Sequence, residues 1–213
     1  MAIEGKRIAK NTGLLYFRML VLMAVSLYTS RVLLSALGVV DFGIYNVVGG
    51  VVVMIGFLRG TMSTTSSRFI TVALGRNDLS EMERTFSSIL LVNLVLALLV
   101  FILAETVGLW FLVEKMTIPE GRESAAFWVY QLSIVTVSLG IITVPFNAVI
   151  IAHERMGAFA YISLFDAFAK LGIVYLIVVS SFDRLIFYAF LMLLMHVINV
   201  LVYVFYCLNN FQE

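Results

Sequence analysis

Long apolar runs recur along the chain, each about twenty residues or more, separated by short polar breaks. Runs of that length suit α-helices crossing a hydrocarbon core of about 30 Å. Strands of a membrane barrel would instead alternate apolar and polar residues with a period of two. The pattern predicts six helices, over about 12–37, 41–74, 85–112, 124–152, 156–179 and 184–208. The first two meet across a very short turn near Leu37-Gly38. The second is longer than one crossing needs, and its stretch 61–68 is rich in Ser and Thr, which predicts a wet wall or an exit from the bilayer. Ser80 followed by Glu83 has capping-box spacing and predicts a helix start after the polar turn 75–81. Pro145 removes one backbone hydrogen bond inside the fourth span and predicts a kink, with Gly140 and Asn147 close by. The fold class expected is an all-α, polytopic membrane bundle of six helices.

Composition sharpens this class. Of 213 residues, 62% are apolar and 13% charged, with a mean hydropathy of +1.06. Soluble domains are nearer half apolar and a quarter charged. A net charge of +1 gives no basis for nucleic-acid binding. Cys207 stands alone in the sequence, which excludes an internal disulfide and a cysteine metal site. The basic N-terminus precedes an apolar run, but that run is too long for a signal peptide and carries Arg18 and Arg31. It reads as the first membrane helix. Lys6, Arg7, Lys10, Arg68, Arg76, Arg84 and Arg155 fall at one set of helix ends, against Lys115, Arg122 and Arg184 at the other. The positive-inside rule then places both termini in the cytoplasm. Trp110 and Trp128 flank the loop at about 113–123, where an interfacial aromatic belt belongs. No Walker loop, HExxH, GxSxG or CxxC pattern occurs, so no enzyme chemistry and no cofactor is expected.

Charges inside the spans carry the functional expectation. Arg18, Arg31, Arg59 and Lys170 face only two acids, Glu105 and Asp166. Intramembrane charge is costly and marks cavities or pathways. The excess of cations points to an anionic substrate. Arg18 sits near the helix end and is expected to snorkel to the headgroups. Arg31 divides between the cavity and the outer headgroups, whereas Arg59 adjoins the Ser/Thr stretch and favours a wet cavity. Gly56 and Gly60 bracket Arg59 with the spacing that lets helices approach closely. Asp166 and Lys170 share one helix face at i, i+4 near the midplane, either as a structural pair or as a substrate or proton site. His196 and Asn199 lie at similar depth, three residues apart, with His196 either a hydrogen-bonded packing residue, the commoner case, or a proton relay. The candidate cavity cations are therefore Arg31, Arg59 and Lys170, and the candidates for proton or ion coupling are Asp166 and His196. Glu105 reads as an interfacial carboxylate.

Several local motifs resemble those of a known family. Tyr28-Thr-Ser-Arg31, Leu37-Gly38, Asp41-Phe-Gly-Ile-Tyr-Asn-Val-Val-Gly-Gly50, Pro145-Phe-Asn-Ala, Ile151-Ala-His-Glu154 and Phe159-Ala-Tyr-Ile carry the resemblance. They resemble the polysaccharide-biosynthesis, O-antigen-type flippases of the multidrug/oligosaccharidyl-lipid/polysaccharide exporter superfamily. The resemblance implies a bacterial inner-membrane transporter with two six-helix lobes around a central cavity. Its substrate would be an undecaprenyl-pyrophosphate-linked oligosaccharide, moved between leaflets by alternating access, with cavity cations meeting the pyrophosphate. On this implication the 213 residues form an N-terminal lobe, and a C-terminal lobe or a second copy completes the cavity. The alternatives are a cation-coupled multidrug extruder of the same superfamily, which would want unpaired acids, and a non-transporting half-protein.

Overall fold

A computed structural model describes residues 2–76 and 78–211, with the backbone alone described for 2–11, 51–58 and 79. The side chains of Lys6, Arg7 and Lys10, and the Gly56 end of the G-x-x-x-G spacing, lie outside this description. Among the described residues 90% are helical and none is in a strand.

The first helical stretch, Ala2–Gly75, is interrupted at Gly38, whose φ of 76° and ψ of 171° are not helical. That backbone region is essentially reserved for glycine. We label the two limbs α1 (2–37) and α2 (39–75). They fold back on each other. Arg18 and Arg59, about equally distant from Gly38, line one cavity, and Thr29, Ser30, Tyr45 and Asn46 line another. The very short turn expected from the sequence is thus a single residue. At Gly60 an added Cβ would meet nothing within 4 Å, so no close helix approach occurs there.

Helix α3 begins at Leu79–Leu103, passes through one π-helical turn, Ala104–Gly108, and finishes as Leu109–Glu114. Its cap is Asp78, whose carboxylate accepts from Ser80 N at 2.9 Å and Glu81 N at 3.2 Å. This corrects the expected Ser80 cap and starts the helix earlier than residue 85. Those backbone bonds, first that from Glu81, also hold the Asp78 carboxyl below its usual range. The fourth predicted span is two helices, α4 (Glu123–Ile142) and α5 (Val144–Ala152), with Thr143 between them. Pro145 sits in the first turn of α5, where a missing N–H costs least. The Thr143 hydroxyl donates to Leu139 O and Gly140 O at 3.0 and 2.9 Å, which ties the joint. Helices α6 (Met156–Val179) and α7 (Arg184–Asn210) complete the bundle.

Among the described residues five stretches are long and apolar enough to cross a membrane: Thr12–Gly50, Ser80–Glu114, Glu123–Ala152, Met156–Val179 and Arg184–Asn210. The first contains the Gly38 fold-back, so the count of crossing helices is five to six. Between such helices the lipid tails are as apolar as leucine, and close packing rather than water exclusion supplies the attraction. Two clusters run through the bundle toward its ends. Ile44, Val48, Ala126, Val129, Ile134 and Leu185 join α2, α4 and α7. Ile70, Met82, Ala148, Ile150, Ile162 and Cys207 join α2, α3, α5, α6 and α7. Between α1, α6 and α7, Leu33 and Ala36 pack with Val174, Ile177 and Tyr188.

A charged knot gathers one end. Arg122, before α4, bridges the carboxylates of Asp41 on α2 and Asp183 at the start of α7. Asp183 also caps α7 through Leu185 N at 3.0 Å. Arg184 donates to Ala36 O at 3.0 Å and so terminates α1 just before Gly38.

Candidate functional site

Four helices of the bundle turn polar residues toward one shared cavity. Arg18 on α1, Arg59 on α2, Asp166 and Lys170 on α6, and His196, Asn199 and Tyr203 on α7 line one chamber of about 240 Å³. Thr143 and Asn147, at the α4–α5 joint, complete its wall. A second chamber, about 360 Å³, is lined by Ser26, Thr29, Ser30, Tyr45, Asn46 and Tyr188. Leu22, Asp166 and Lys170 border both. The Asp166–Lys170 pair therefore stands between a cationic chamber and a hydroxyl-rich one.

The pair is tightly made. Lys170 Nζ donates to Asp166 Oδ2 at 2.6 Å, and Asn199 Nδ2 donates to Asp166 Oδ1 at 2.5 Å. Acid before base at i, i+4 is the better order on a helix. Both carboxylate oxygens are engaged, and one of the three cations is spent on them. Arg18 stacks its guanidinium 4.1 Å from the centre of the Phe159 ring, a cation–π contact. Arg59 reaches the α4 wall where Gly140 leaves room for it: a Cβ there would lie 3.2 Å from an Arg59 guanidinium nitrogen and 3.7 Å from His196 Nε2.

Buried polar atoms without a partner cluster at the same place. They include Arg18 Nε, Asn147 Oδ1, His196 Nδ1 and Asn199 Oδ1 in the first chamber and Thr29 Oγ1 in the second. Each is packed out of reach of solvent, so these unpaired groups mark residues around the chambers rather than atoms facing into them.

The structure brings Arg59, Lys170, Asp166 and His196 together in one chamber. Arg31 does not join them. It is exposed and lines neither chamber. Arg18 takes the third cationic place, which corrects the reading of it as a snorkelling residue. Its signal was present in the sequence. Arg18, Leu22, Val25, Ser26, Thr29 and Leu33 form one helical stripe, and Arg31, thirteen residues from Arg18, is about 220° around the helix from it. Glu105 lies on the π-helical turn, half-buried, and accepts from Gln131 Nε2 at 3.2 Å. A separate recess of about 400 Å³ between α2 and α3 contains none of the candidates. Among the described residues no group of three His, Cys, Asp or Glu is placed to hold a metal ion. Comparison with protein-family models, with curated proteins and with solved structures returned no match.

Proposed function

We propose that the chain is a membrane transporter of the flippase type, acting on a lipid-linked anionic oligosaccharide in a bacterial inner membrane. The observation that carries this reading is the chamber where Arg18, Arg59 and Lys170 meet a single acid inside apolar helices. Cations held at such depth need anionic partners, and Asp166 satisfies only one of the three. The sequence resemblance supplies the rest of the reading. The six helices stand as one lobe of a two-lobed exporter, with both termini cytoplasmic, and a second lobe or a second copy closes the central path. Transport proceeds by alternating access, and the undecaprenyl pyrophosphate is the charged part of the cargo. The cation-coupled extruder is disfavoured because Asp166 is already held by Lys170 and Asn199.

The test is translocation of a fluorescent polyprenyl-pyrophosphate glycan in liposomes carrying the full chain. Arg59→Gln and Lys170→Gln should each slow it about tenfold or more, in line with a charge-assisted contact of about 1.5–3 kcal/mol. Translocation at the wild-type rate in both variants, with equal protein in the membrane, would remove the basis for the reading.

A further inference from the structure

The first chamber is small. At about 240 Å³ it has room for about eight waters at the liquid's share of volume. Pockets for drug-sized molecules run to about 300–1,000 Å³. A single phosphate-like group fits; a sugar chain does not. Recognition in this chamber is therefore recognition of a tetrahedral oxyanion, whatever is attached outside.

Among the described residues His196 brings the one imidazole to that chamber, a group whose charge a bound anion can change. Its Nδ1 is buried and unpartnered. The charged groups within its electrostatic reach are Arg59 on α2 and Lys170 and Asp166 on α6. Arg18 of α1 and Tyr203 of α7 face the same chamber. The α4–α5 wall offers only the uncharged Gly140, Thr143 and Asn147. An empty chamber gives an imidazolium no acceptor at Nδ1, because Asp166 is committed to Lys170 and Asn199. An oxyanion among the three cations supplies the compensating charge.

We propose that the chamber binds a tetrahedral oxyanion together with a proton, the proton residing on the His196 imidazole. This rests on the anionic reading of the site and adds to it a fixed proton stoichiometry. The proton arrives from bulk water, the imidazole becomes imidazolium, and no other bond forms or breaks. By linkage, the oxyanion and the proton each tighten the other's binding by the same factor. Both leave when the anion is released.

Sulfate is the probe, because it gains and loses no proton near neutral pH. Calorimetric titration of the full chain in detergent, in two buffers of different ionisation enthalpy at pH 7, counts the protons taken up. Uptake approaching one proton per sulfate is expected in the wild type, with sulfate affinity falling up to about tenfold per pH unit above neutrality. His196→Asn should bind sulfate with no proton uptake and a flat pH dependence. Nitrogen-labelled histidine spectra give a check that leaves His196 in place. In a His153→Gln chain His196 is the single histidine of the original two, and its imidazolium signal should appear on sulfate addition. Sulfate binding without proton uptake, or uptake that survives in His196→Asn, overturns the proposal while leaving the anion site standing. Absence of sulfate binding overturns both.

Discussion

At the residue scale, a side chain's direction follows from its number only within its own helix. Asp166 and Lys170 were legible as a pair because i, i+4 spacing fixes a shared face. Arg59 and His196 were legible as candidates because charge and imidazole at mid-depth are rare. That they meet in one chamber was not, since it depends on how α2, α6 and α7 are rotated against each other. Arg18 and Arg31 show where depth alone misleads. Both are basic residues in α1, yet helical phase sends one to Phe159 and the other to the exposed face. Arg31→Gln should therefore leave sulfate affinity unchanged, whereas Arg18→Gln should weaken it about tenfold, the effect of a lost charge-assisted contact. Equal losses in the two would overturn the assignment of faces. Gly140 offers a variant that removes no charge. Gly140→Val would push the Arg59 guanidinium from its 3.2 Å approach and should lower sulfate affinity while the protein remains folded. Unaltered affinity would mean that Arg59 binds from another position.

At the element scale, local rules succeeded where the chain satisfied its backbone in ordinary ways and failed where it did not. Asp78 outcompetes Ser80 as a cap because its carboxylate reaches two N–H groups at once; a dipeptide spacing does not reveal which residue leaves the helix. The π-helical turn in α3 has no sequence signature, but its cause is visible. Ala104 O accepts from Leu109 N in the widened turn and from the buried Tyr130 hydroxyl at 2.7 Å. A Cβ at Gly108 would fall 1.9 Å from that hydroxyl oxygen. Gly108→Ala should destabilise the protein by about 1–3 kcal/mol through overpacking, read as a lower unfolding midpoint in detergent. Adding Tyr130→Phe should recover part of the loss, since the nearest remaining ring atom is at 3.2 Å. A double variant no more stable than the single one would show that the hydroxyl is not the obstacle.

At the scale of the whole molecule, hydropathy alone revealed the five to six described helices that are long and apolar enough to cross a membrane. The charged knot was not readable, although Asp41, Arg122 and Asp183 are all plain in the sequence. Their separations along the chain say nothing about a common partner. Asp41 is buried with 6% of its surface exposed, and Arg122 is its ionic partner. Arg122→Ala should cost about 2 kcal/mol, less than the ~3–5 kcal/mol of a fully buried pair because Arg122 is one-third exposed. Asp183→Asn, which keeps a side-chain acceptor for the α7 cap, should cost less. Thermal unfolding of the two variants in the same detergent ranks them, and the reverse order would show that the α7 cap, not the buried Asp41, dominates at this end.

The Gly38 fold-back makes the first two helices a ruler with its zero at one residue. Positions about the same number of steps away on either side come side by side, as Arg18 and Arg59 do at 20 and 21 residues from Gly38. A single residue inserted between 19 and 37 would advance Arg18 by about 1.5 Å and turn it about 100° around the helix. The length of that arm, and not merely its composition, is what aims Arg18 into the chamber. Substitutions along the arm should thus be absorbed readily, while an insertion or deletion of one residue should disarm the site.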